Sequence, residues 1–124
     1  MNWDLYPNFQ ASEFACSHTA TNNMRPEFLE LLQAIRTEYG KSMVISSGYR
    51  DKTHPQEIDK KTGGAHTLGL ACDIPVRGED AILLLGICIK KGIRRIGICQ
   101  KGDNRYLHID IADRYGFPKS IWSY

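Results

Sequence analysis

The chain is poor in several features that mark whole classes of protein. It contains no Cys-x-x-Cys pair, no internal repeat and no low-complexity linker. Its longest apolar run, Ala81 to Ile89, falls far short of a membrane span, so no membrane insertion is expected. Charge of neither sign dominates: 16 Lys plus Arg against 14 Asp plus Glu leave a formal charge of +2. That balance lacks the basic footprint of a dedicated nucleic-acid binder. The N-terminal stretch MNWDLYPNFQASEF has no basic region followed by an apolar segment. Synthesis in a cytoplasm without a secretory signal is therefore expected, with Cys16, Cys72, Cys88 and Cys99 as reduced, mostly buried thiols. What remains is ordinary globular material: 124 residues, 42% hydrophobic and 24% charged. A chain of this length buries roughly two-thirds of its unfolded surface, so one domain spanning 1–124 is expected to fold without disulfide staples.

Periodicity gives the elements. Residues 1–22 are aromatic and polar, consistent with a wrapping segment carrying a short helix near Ser12 to Phe14. Asn22 and Asn23 stand where an N-cap would, and Pro26 suits a first helical turn. Phe28, Leu32, Ile35 and Tyr39 then recur at helical spacing, with Gly40 as the stop. Met43 to Ser47 reads as a short strand ending at Gly48. Residues 51–65, with Pro55 and the Gly63-Gly64 pair, read as an exposed loop. Leu70 to Val76 reads as a second strand. Glu79 to Lys91 is apolar almost all round and reads as a buried helix ended by Gly92. Arg94 to Cys99 and Tyr106 to Ile111 read as further strands, and the aromatic tail from Phe117 to Tyr124 is expected to pack back. Two good helices and about four strands out of strict alternation point to an α+β fold with a small mixed or antiparallel sheet.

The chemistry concentrates in two stretches. In His66 to Asp73 (HTLGLACD), Asp73 interrupts an apolar run where an unpaired carboxylate would be costly to bury. A metal or other cation removes that cost. Seven extended residues would span about 23 Å, so His66 and Asp73 can share one ion only if the chain turns, and Gly69 offers the turn. In Tyr106 to Ile111, Leu107, Ile109 and Ile111 form one face, and Tyr106, His108 and Asp110 the other. The second face suits the floor of a site, although an edge strand fits the pattern equally well. Together His66, Asp73 and His108 offer two imidazoles and one carboxylate, the ligand count of a catalytic zinc site with an open position. Such a site is net positive and acidifies a bound water to a pKa of roughly 7. Cys16 and His18 lack the partners of a metal knuckle, His54 reads as a solvated loop residue, and Cys72 as core. Trp122 and Tyr124 fit a cleft wall or plain packing.

Ser46 to Arg50 (SSGYR), then His66 to Asp73, then Tyr106 to His108, in this order, resemble the zinc D-Ala-D-Ala carboxypeptidases. These are grouped with other peptidoglycan metallopeptidases and the hedgehog signalling domain. The resemblance covers roughly Phe9 to Tyr124, and relatives of this length include phage and bacterial cell-wall hydrolases. It implies a hedgehog/D,D-peptidase-like fold in which His66, Asp73 and His108 bind Zn2+. It implies that Arg50 grips substrate, with Ser47 and Tyr106 as further substrate contacts, and that metal-activated water hydrolyses an amide bond in a peptidoglycan peptide. A guanidinium suits that task, since it grips a carboxylate in a bidentate way that lysine cannot. Relatives carry an acidic general base three residues before the last zinc histidine; here that position is Arg105. Asp110, on the same strand face as His108, is the favoured substitute and Asp103 the alternative. Two other readings compete: a zinc-bearing wall-binding module without a base, and a non-haem iron(II) oxygenase built on His108, Asp110 and His66. The working expectation is a monomer that acts on the cell wall once released or carried in a virion.

Overall fold

The computed structural model describes residues 1–60 and 64–124. Helix α1 spans Pro26–Tyr39 and buries Phe28, Leu29, Leu32, Ile35 and Tyr39, the stripe expected from their spacing. Each such side chain contributes roughly 1.5–3 kcal/mol on full burial. Gly40 ends the helix in the left-handed region at φ +70°. The start differs from the sequence reading. The N-cap is Arg25, held extended before Pro26, while the Asn22 carboxamide accepts from the Met24 N–H instead.

Strand β1 is Ala71–Pro75, helix α2 Gly78–Lys90, β2 Arg95–Cys99, β3 Tyr106–Asp110 and β4 Ser120–Ser123. The sheet order is β1-β3-β2-β4. β3 pairs antiparallel with both β1 and β2, and β4 joins β2 in parallel. The fold is thus α+β, two main helices with a four-stranded mixed sheet. β1 and β2 run parallel, joined by the α2 crossover, with β3 inserted between them. One apolar cluster links the N-terminal Tyr6, Phe9 and Phe14 to α1, α2 and the inward-facing Cys72, Ile74, Ile96, Leu107 and Ile109 of the sheet.

Three local expectations are corrected. Met43 to Ser47 forms no strand; its pairing is confined to one bridge between Ser47 and Asp73. The next backbone groups go elsewhere, Tyr49 N–H to Phe14 O and Arg50 N–H to His66 O, so no ladder can extend. Helix α2 is not buried all round: Ala81, Leu84, Ile87 and Cys88 face the core, while Ile82, Leu83 and Ile89 are exposed. Apolar composition alone does not say whether a second layer exists to cover a helix. Within the loop after Arg50, Glu57 is buried rather than exposed; Gly63 lies outside the described residues. No helix among the described residues is long and apolar enough to cross a membrane.

Candidate metal centre and substrate cleft

The local folding of the His66–Asp73 stretch brings its two ends together. Ala65–Leu68 forms a single 3-10 turn, and Gly69 follows at φ +72° before the chain enters β1. The turn therefore falls on Gly69, as its position between histidine and aspartate requires. A Cβ at residue 69 would also lie 2.1 Å from the Asn23 carbonyl oxygen, so the close approach excludes any larger residue. Across the sheet, Asp73 stands in register with His108. Strand pairing thus supplies the third group.

The three ligand atoms converge. His66 Nε2 lies 3.2 Å from His108 Nδ1, His108 Nδ1 lies 3.0 Å from Asp73 Oδ1, and His66 Nε2 lies 3.4 Å from Asp73 Oδ1. Among the described residues, this is the one cluster of three such groups able to hold a metal ion, and all three residues are buried. The tautomers are set from behind. His66 Nδ1–H donates to Gly48 O at 2.7 Å, and His108 Nε2–H donates to Asp110 Oδ2 at 2.6 Å. Both inward nitrogens therefore present lone pairs to each other and to a carboxylate oxygen, an arrangement that repels itself unless a cation lies between them. Tetrahedral zinc with ligand bonds of about 2.0–2.1 Å separates its ligand atoms by ~3.3 Å, which this spacing matches. The donor set fits a divalent metal.

The surrounding electrostatics favour the metal-binding forms of Asp73 and His66. Burial alone would raise the Asp73 carboxyl, but His108 and His66 reverse this and hold it below the usual carboxylate range. Burial also lowers His66, which favours the neutral, metal-binding imidazole. At His108 burial acts in the same direction, yet Asp110 and Asp73 outweigh it and raise the group.

Arg50 is fixed by three acceptors. Its Nε donates to Ser47 Oγ at 3.1 Å, Nη1 to Glu57 Oε2 at 3.3 Å and Nη2 to Asp73 Oδ2 at 3.3 Å. Asp73 therefore spends one oxygen on the imidazole pair and the other on the guanidinium. Ser47 acts on Arg50 and does not line the cleft, whereas Arg50 and Tyr106 do. Glu57, which sequence reasoning misses, also accepts from Lys60 Nζ and Gly64 N–H. It is one of three carboxylates in a polar loop with as many lysines, a pattern that a solvated loop explains as well.

The two candidates for the general base, Asp110 and Asp103, occupy different places. The Asp110 side chain is fully buried, meets the ring nitrogen of His108 that faces away from the ligand cluster, and is also bound by Arg95 Nε at 2.7 Å and the Ala112 N–H. It holds the outer nitrogen of His108 and also contributes to the lining of the cleft. The same placement removes Asp110 from the iron(II) triad, since it shares no centre with His66. Asp103 lines a different surface groove beside Arg105, and Arg105 turns its Nε to Gly102 O. Removing the carboxylate behind a metal-binding histidine typically weakens metal affinity about 10–100-fold. Asp110→Asn is therefore expected to retain the fold yet release zinc at a chelator concentration lower by about that factor. Competition against a zinc indicator measures it.

The cleft around these groups has a volume of about 400 Å³. Arg50, Lys60 and Gln56 line one side, and Tyr106, Trp122 and Tyr124 another. A buried two-histidine, one-aspartate centre opening into a cleft beside a fixed arginine defines a metallopeptidase-type site. The comparison with known families agrees: the peptidase M15 family matches residues 7–110. The chain belongs to the peptidase M15 family. No curated protein matches it.

Proposed function

We propose that this chain is a zinc-dependent peptidase that hydrolyses an amide bond in peptidoglycan peptides. The observation that carries the reading is the convergence of His66 Nε2, His108 Nδ1 and Asp73 Oδ1, with both imidazoles locked by partners behind them. Zinc held there supplies Lewis acidity toward a water and toward the substrate carbonyl. The protein supplies the rest. Asp110 keeps the Nε2 proton on His108 and so keeps the lone pair of Nδ1 directed inward. Arg50, already oriented by Ser47, Glu57 and Asp73, presents its remaining N–H groups to the cleft. There it holds a substrate carboxylate or carbonyl oxygen and stabilises the negative charge that develops as the amide is attacked. Because these donors are fixed beforehand, little reorganisation is needed during reaction. The proposed place of action is the cell wall.

Purified peptidoglycan incubated with the protein should yield new peptides by mass spectrometry. The products should vanish after chelation, return with zinc, and identify the bond by their masses. A zinc-loaded protein that releases none would leave the wall-binding reading standing instead.

A further inference from the structure

The family match ends at residue 110, yet residues beyond it build one side of the cleft. β4 adds to the sheet in parallel register with β2, placing Trp122 opposite Gly97. A row across the site face of the sheet thus runs Asp73, His108, Gly97, Trp122. The missing side chain at Gly97 is what admits the indole. A Cβ there would lie 2.6 Å from Trp122 Nε1 and 3.0 Å from a ring carbon of Tyr124. The indole lies across β2 and reaches the metal-binding His108, ring centroids 5.2 Å apart. It is braced from a second direction by the Arg95 guanidinium, 5.2 Å from the ring centre. Tyr124 closes against Tyr106 at 5.3 Å.

The two sides of the cleft therefore differ in kind. Arg50 and Lys60 line one side, both engaged with the Glu57 carboxylate. On the β4 side the cation is Arg95, whose Nε is engaged with Asp110 and whose Nη1 is engaged with Pro118 O. A braced indole resists swinging aside for a branched or aromatic substrate side chain. The cleft is small as well, about 400 Å³ in a range of roughly 300–1,000 Å³ for ligand sites.

We propose that β4 is the specificity wall of the site, with Trp122 seated over Gly97 against His108 and limiting the adjoining substrate residue to a small side chain. The proposal rests on the peptidase reading above. Its test uses amino-acid hydroxamates, which ligate zinc and place one side chain beside it, so no turnover is required. Zinc-loaded wild-type protein should bind alanine hydroxamate more tightly than phenylalanine hydroxamate by about tenfold or more. Trp122→Ala should reduce that preference by about tenfold, by admitting the larger ligand. Gly97→Ala, which keeps the indole but forces it from its seat, should reduce it too, and carries the test if Trp122→Ala does not fold. A β4 that merely caps the sheet would lower Tm or zinc affinity in these variants and leave the preference intact. An unchanged preference in the folded, zinc-loaded variants overturns the wall. Failure of zinc-loaded wild-type protein to bind either hydroxamate overturns the peptidase reading itself.

Discussion

Asp73→Ala is expected to release the metal and reduce peptide hydrolysis by on the order of 10³-fold or more, since the described residues hold no second group of metal-binding side chains. The substitution has so large an effect because Asp73 serves two partners. One oxygen completes the ligand set with His66 and His108, and the other accepts from Arg50. Its loss removes the only negative charge in the triad and leaves Arg50 turned toward a gap. Metal content after dialysis, measured beside the hydrolysis rate, checks the expectation. The comparison with Asp110→Ala is decisive. In the zinc arrangement Asp73→Ala empties the site and Asp110→Ala only weakens it. The opposite ranking would place Asp110 among the ligands and revive the iron(II) reading.

Arg50→Lys is expected to leave zinc bound while lowering kcat/KM by about 10²–10³-fold, the usual loss when a fixed donor to a developing oxyanion is removed. A lysine has one point charge and cannot satisfy Ser47, Glu57 and Asp73 while also facing substrate. The fold should survive, because Lys60 and the Gly64 N–H continue to bind the buried Glu57 carboxylate. The distinguishing measurement is metal stoichiometry alongside kinetics. Were zinc lost together with activity, Arg50 would be a prop for Asp73 and no more.

Much of the site is legible in the amino-acid sequence. His66, Asp73 and His108 stand out because a histidine and a carboxylate among apolar neighbours require compensation wherever they are buried. Gly69 stands out because only a turn can bring His66 back to Asp73. The alternation from Tyr106 to Ile111 separates core face from site face, and the spacing of Phe28, Leu32, Ile35 and Tyr39 locates α1. Asp110 is legible in place but not in role. Alternation puts it on the correct side of β3, but not on a particular nitrogen of the neighbouring imidazole. That depends on Arg95 and Ala112, which draw the carboxylate behind the ring.

The sequence by itself determined the two main helices, the sheet strands β1, β2 and β3 and the ligand chemistry, because periodicity, turn residues and the cost of burying charge act over a few neighbouring residues. Only the tertiary structure decided which donors face one another. The register of β1 on β3 set Asp73 beside His108, and loop closure over Arg50 buried Glu57. The parallel docking of β4 brought Trp122 over Gly97. Each of these contacts depends on packing between separate segments of the chain, which no local pattern encodes.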